Sequence, residues 1–277
     1  MKNVGTKILR PSGTGFKWCI NQYDGCSHGC LYCYGMTIRK KKYNDWIKGS
    51  LKKVDVLANL RNDIQKLRDK GILDSVRDIF LGSITDSYQP LEREHKLTRA
   101  IIGILKENEL PFTLLTKSSL ILRDVDLLKD YDLCRVGVTL TSFDESIRQI
   151  LEPGAMSYSD RVDVLIKLKE VGVFTYVSCE PIMPIKEVEP VEIVKMLSGF
   201  VDLFEFGMWN KYRYKHIDSY FYKDYSEEYY VKAFKDIIEY CESKDINYCI
   251  ASHSKDFVLK HGLSFKPYPL VKESFSL

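Results

Sequence analysis

The sequence has no uncharged apolar run of about 18 residues or more, so a transmembrane helix is excluded on length alone. Cysteine is scarce, eight in 277 residues, far short of a disulfide scaffold. Internal repeats and low-complexity tracts are missing, which removes solenoids and low-complexity polymers. Charge of one sign is missing too: 41 basic against 38 acidic residues leave +3, too balanced to argue for nucleic acid on bulk electrostatics. No apolar segment follows Met1 to Lys7, so no secretory leader is read and a cytoplasmic protein is expected. What is present, 45% hydrophobic and 29% charged residues, describes an ordinary globular chain.

Short β-branched runs alternate with segments of helical period. Helices are expected over 54–70, 92–108, 123–131, 159–171, 191–200 and 226–243. Strands are expected over 78–82, 112–116, 133–141, 173–179, 201–206 and 246–250, with Pro181 ending the fourth because proline cannot donate into a central ladder. Such alternation implies right-handed crossovers and a parallel sheet, hence an α/β fold. Six or seven strands fit a partial (β/α)6 TIM-type barrel with an open side best. Residues 1–210 then form the core and 211–277 a C-terminal extension packed on it. Polar residues gather just after the strands, at 83–86, 117–118, 139–142 and 178–180, the end where both open and closed α/β sheets place their sites.

Cys26, Cys30 and Cys33 place three thiols at spacings of four and three on a loop containing Gly29. In a reducing compartment such a cluster reads as a metal or redox site. Structural zinc wants four ligands, usually from two knuckles, and Cys134, Cys179, Cys241 and Cys249 are scattered singly. Iron–sulfur clusters also take four cysteines, so three leave one iron open for chemistry. His28 is either a fourth ligand or, more plainly, a solvent-facing loop residue.

The pattern C-x-x-x-C-x-aromatic-C, with Tyr32 before the last cysteine, resembles the signature of the radical S-adenosylmethionine (SAM) superfamily. Residues 21–34, 82–92, 115–118, 151–154 with Arg161, and 180–184 resemble the spore photoproduct lyase-like branch, in order. The resemblance implies a single radical SAM core and an enzyme in which the three cysteines hold a 4Fe–4S cluster. SAM would be cleaved there to methionine and a 5′-deoxyadenosyl radical, with a flavodoxin or ferredoxin as reductant. By the same resemblance Lys117 meets the methionine carboxylate, and Ser83, Thr85, Thr139 and Thr141 surround SAM. Tyr32 and Ser178 lie near its adenine. Arg161 matches a family position counted with the cofactor site, though an ion pair with Glu152 would make it structural.

Spore photoproduct lyases carry a cysteine hydrogen donor where Ser83 aligns here. A hydroxyl is a far poorer donor, so photoproduct reversal requires another thiol, for which Cys179 at a strand end is the expected candidate. The substrate stays open, nucleic acid being one. The basic run 39–42 is either a phosphate binder or a solvated face. The aromatic stretch 209–230 either stacks bases or forms a lid over the open side. His253 and His261 read as structural. A different class also fits the cysteine loop: a non-catalytic zinc module that binds nucleic acid.

Overall fold

The computed structural model describes residues 6–12, 16–185, 188–209 and 226–269. One sheet runs in chain order through β1 (Arg10–Pro11), β2 (Trp18–Ile20), β3 (Ile79–Leu81), β4 (Phe112–Thr116), β5 (Cys134–Thr139), β6 (Phe174–Ile182), β7 (Leu203–Met208) and β8 (Tyr248–Ile250). Among the described residues β1 pairs antiparallel with β2 and every later pair is parallel. The order is linear, with no β1–β8 pairing, so the barrel is open on one side. The expected partial barrel is thus present. It has seven parallel strands, within the six or seven expected: β2 was not foreseen, and β8, expected at 246–250 in the segment read as an extension, continues the core sheet.

Around the sheet lie α1 (Tyr34–Arg39), α2 (Tyr43–Trp46), α3 (Val56–Asp69), α4 (Leu91–His95), α5 (Leu97–Glu107) and α6 (Val125–Leu128). They are followed by α7 (Glu145–Leu151), α8 (Tyr158–Glu170), α9 (Pro190–Leu197), α10 (Glu227–Ser243) and α11 (Lys255–Lys260).

Strand alternation divides the side chains into two sets. The outward set, including Ile79, Leu81, Phe112, Leu114, Val136, Val138, Val177, Phe204 and Phe206, is buried against the apolar stripes of the helices. Those stripes are the ones visible in the sequence: Leu60 and Ile64 in α3, Ile101 and Leu105 in α5, Leu165 and Leu168 in α8, Ile237 and Cys241 in α10. The inward set follows the register Arg135, Gly137 and Thr139 of β5 against Phe174, Tyr176 and Ser178 of β6. Leu203 and Glu205 of β7 continue it.

The N-terminal end of the barrel is plugged. Phe16 stacks on Phe80 at 4.4 Å between ring centroids, and Tyr268 packs against both Phe16 and Tyr176. Arg135, fully buried, lies 4.5 Å from the Tyr268 ring and pairs with Asp78 at 2.7 Å. Thr113 donates to the same carboxylate. A buried charge must be matched in this way, because stranding one partner costs several kcal/mol. The barrel therefore opens only toward the C-terminal strand ends.

Two expected elements differ. The helix expected over 92–108 is broken at Lys96, which takes a left-handed conformation (φ 48°). The break frees the first N–H groups of α5, and the buried Glu92 carboxylate receives them from Thr98 (2.8 Å) and Arg99 (3.3 Å). Pro181 does not stop β6, which runs on to Ile182. A register shift between Cys179 and Ile182 leaves the proline where no ladder donor is required.

The Tyr176 ring lies over Gly137 so closely that an added Cβ would sit 2.4 Å from ring carbons. Gly137→Ala should therefore destabilise the protein by about 1–3 kcal/mol through overpacking. Gly103→Ala in α5, where a Cβ meets nothing within 4 Å, should instead stabilise it by up to about 1 kcal/mol. Thermal denaturation of the two variants checks the opposite signs.

Candidate active site

The cysteine loop crosses the C-terminal end of the barrel, leaving β2 and entering α1, and is fastened by three segments, 43–46, Gln89 and 151–154. Cys26 N–H donates to the Trp46 carbonyl and Leu31 N–H to the Leu151 carbonyl. Gln89 both donates to the Gly25 carbonyl (3.0 Å) and accepts from Ser27 N–H (3.3 Å). Tyr43 donates to the Gly29 carbonyl at 2.8 Å. Gly154 N–H donates to the His28 carbonyl (2.9 Å), an approach that requires glycine: a Cβ there would stand 2.3 Å from the Ser27 carbonyl oxygen.

His28 is not the solvent-facing residue expected. It is 3% exposed, and its Nδ1 lies 3.2 Å from Asp86. Asp86 also accepts from Thr116 Oγ1 (2.7 Å) and from the backbone N–H groups of Lys117 and Tyr88. Burial alone would raise the Asp86 pKa, but His28, Lys117 and the Thr116 hydrogen bond prevail and hold it well below the usual carboxylate range. This carboxylate ties the loop to the ends of β3 and β4.

Behind the loop sits a second buried acid. Glu152 and Arg161, both fully buried, form an ion pair at 2.5 Å, and the Tyr32 hydroxyl donates to Glu152. Arg161 also donates to the carbonyls of Met156 (3.0 Å) and Thr139 (2.8 Å). Arg161 is accordingly a bracket beneath the site and does not reach its surface. Lys117 Nζ lies 5.6 Å from the Tyr32 ring centroid and donates to Thr139 Oγ1 at 3.2 Å. Burial works against its charge, yet the nearby Cys30 and Glu152 raise its pKa on balance.

The remaining expected residues separate into engaged and open ones. Ser83 Oγ accepts from Asn21 Nδ2 (2.9 Å), and the Thr141 and Tyr158 hydroxyls pair at 2.8 Å. Thr85 Oγ1 is buried with no hydrogen-bond partner, and Ser178 Oγ has none beyond the neighbouring Glu205, so both can still meet a polar ligand. Cys179 does not face the mouth. Alternation puts it outward with Val177 and Phe206, 1% exposed in the helix-packed core, and burial drives its thiol pKa far up. The inward thiols are Cys19, half-buried beside Asn21, and Cys249. Sequence reading also missed Glu205 and His253. Glu205 lies on the inward face of β7, and His253 Nδ1 lies 3.4 Å from Glu180. A period-2 count from Tyr176 through Glu180 would have found the inward set.

Burial pushes all three loop thiols up, Cys26 to about 12. Metal binding must therefore displace their protons. The thiols feel one another electrostatically. Among the described residues, however, no three His, Cys, Asp or Glu side chains converge on one point as a single ion demands. Three desolvated thiols spread around a loop fit a multi-iron cluster, in which separate irons are bound, better than one zinc ion.

An α/β partial barrel with a three-cysteine loop across its C-terminal mouth defines the architecture of a radical SAM protein. The sequence matches the Radical SAM superfamily over residues 20–197, and the chain belongs to that superfamily. It is 35% identical over 243 residues to an uncharacterized protein of Methanocaldococcus jannaschii, covering 84% of this chain and 88% of the relative. It is 24% identical over 165 residues to the radical SAM Nalpha-GlyT isomerase of Pseudomonas phage M6, covering 58% of this chain and 32% of that protein. Its fold matches spore photoproduct lyase complexed with dinucleoside spore photoproduct, with a TM-score of 0.64 at 15% identity, over 89% of this chain and 79% of that one. Among the described residues no helix is long and apolar enough to cross a membrane.

If Arg161 is a bracket, Arg161→Met should strand the Glu152 charge and destabilise the protein by about 3–5 kcal/mol. Arg161→Met combined with Glu152→Leu should recover most of that loss. Urea denaturation of the two variants checks the pair.

Proposed function

We propose that this protein is a radical SAM enzyme in which Cys26, Cys30 and Cys33 hold a 4Fe–4S cluster and SAM is cleaved at the barrel mouth. The observation that carries this reading is the desolvated three-thiol loop placed beside Lys117 and beside the Thr85 hydroxyl, left without a partner. When bound, the cluster supplies one electron that splits the SAM sulfonium into methionine and a 5′-deoxyadenosyl radical. The protein supplies position and dryness. Lys117, steadied by Thr139, presents an ammonium suited to the methionine carboxylate. Thr85 offers a hydroxyl to the remaining polar groups, and the Glu152–Arg161 pair keeps Tyr32 in place in the loop. The electron comes from an external reductant of the flavodoxin or ferredoxin kind.

Nucleic acid is the substrate class to test first. The spore photoproduct lyase structure holds a dinucleoside photoproduct, and Arg39, Lys40 and Lys42 are exposed directly after the cluster loop. The expected aromatic stacking set lies mostly outside the described residues. A base in a duplex would have to be extruded to reach the mouth. Ser83, where a cysteine donor would stand, separates the reaction from photoproduct reversal. The zinc-module reading is the weaker one because no three ligands converge.

Anaerobically reconstituted protein given dithionite and SAM should form 5′-deoxyadenosine, read by chromatography beside iron and sulfide counts. Cys30→Ala should abolish it while the far-UV circular dichroism stays unchanged. About one zinc and no sulfide per chain would overturn the assignment.

A further inference from the structure

Across the mouth from the cysteine loop lies a polar group that the cluster and SAM reading leaves unused. Glu180 lies within β6's register shift, and Glu205 stands beside Ser178 on the adjacent strand β7. His253, from the turn after β8, reaches Glu180 with Nδ1 at 3.4 Å, while its Nε2 lies 3.0 Å from the Met208 carbonyl. A carbonyl only accepts, so Nε2 carries a proton and the Nδ1 edge is turned to Glu180. The space is built for these side chains. A Cβ on Gly207 would stand 3.0 Å from both Glu180 Cγ and His253 Cε1.

Two features point to a missing partner. Among the described residues no Lys or Arg lies within 4 Å of either carboxylate; Lys117 acts on Glu180, and His253 and Arg135 act on Glu205, without offsetting their desolvation. Ser178 Oγ is fully buried, faces the same interior, and has no hydrogen-bond partner beyond Glu205 beside it. Desolvation, and for Glu205 the charge of Glu180, drive both carboxyls far above the ordinary carboxylate range. An empty site relieves this strain by taking up protons. A cation would relieve it by pairing, and an anion would aggravate it.

We propose that Glu180, Glu205 and Ser178, with His253 orienting Glu180, form a subsite that takes a positively charged nitrogen group of the substrate, an alkylammonium. An ammonium has three N–H donors for two carboxylates and one hydroxyl, which matches this acceptor set. A metal ion does not fit, since no three ligating side chains converge among the described residues. The inference rests on the mouth being the substrate side of a radical SAM enzyme.

The test is calorimetric titration of n-butylammonium into cluster-loaded, SAM-bound protein, with butanoate and 1-butanol as controls of similar length. Butylammonium should bind at least about tenfold more tightly than either control, the scale of one charge-assisted hydrogen bond. Glu205→Gln and Glu180→Gln should each weaken it by about tenfold, and Ser178→Ala by a smaller factor. Equal binding of butanoate or butanol, no binding of butylammonium, or indifference to the Gln variants would each overturn the proposal. So would competition between butylammonium and SAM, which would assign the site to SAM's own amino group. If the variants fail to fold, the selectivity of the wild-type protein still decides. The titration needs no SAM cleavage, so failure to form deoxyadenosine would overturn the enzyme reading without altering the cation preference.

Discussion

The Glu152–Arg161 ion pair is the constraint on which the arrangement of the mouth depends. It is fully buried, so its desolvation must be repaid by geometry, and each partner is hydrogen-bonded to groups that belong to the site. Arg161, on α8, reaches the carbonyl at the end of β5, and Glu152, just past α7, receives the hydroxyl of Tyr32 in the cysteine loop. One charge pair therefore couples a strand end, two helices and the loop that carries the thiols. The loop has no regular structure of its own between β2 and α1. Its shape is imposed by this pair from below and by Asp86 from the side. Polar groups serve here because apolar packing is non-directional and could not fix a loop against strand ends.

The interior of the barrel is graded along its axis. The N-terminal end is closed by Phe16, Phe80, Tyr176 and Tyr268 around the Arg135–Asp78 pair. The C-terminal end carries hydroxyls, a lysine and two carboxyls. A closed floor excludes water from one side, so charges at the mouth act through a medium less polarizable than bulk water. That is why the carboxyls of Glu180 and Glu205 are driven upward while Asp86, with its several donors, is driven down.

Much of the fold was legible because periodicity is a local property. The strand expected at 112–116 is β4 residue for residue, and the helix expected over 159–171 matches α8 within one residue. What was not legible depends on partners distant in sequence. The helix break at Lys96 follows from Glu92 capping α5. The short helix α7 lacks a long apolar stripe and is set by its Asp144 cap, which accepts from Ser146 N–H. Placing Cys179 at the mouth failed by one residue of strand parity. Ser178 faces in, Cys179 faces out, and a shift of one residue reverses every side chain. The cysteine loop itself stood out because three thiols at fixed spacing need no tertiary context to be noticed. Glu180, Glu205 and His253 come from three separate segments, and only the closing of β6, β7 and β8 side by side brings them together.

The mouth is electrically divided by that topology. Strands early in the sheet carry the cysteine loop and Lys117, whose positive charge faces it. Strands late in the sheet carry the two carboxyls. Because the sheet curls without closing, early and late strands confront each other across the interior, and a ligand between them sees opposite fields at its two ends. A zwitterionic amino acid group bound through its carboxylate at Lys117 would turn its reacting end away from the lysine. The late strands then define the environment of whatever lies beyond it. An anionic group would be repelled there, so a polyanionic substrate would have to keep its phosphates at the rim, near Arg39, Lys40 and Lys42, and insert a neutral or cationic part. The division thus selects the orientation of a substrate before any specific contact is made.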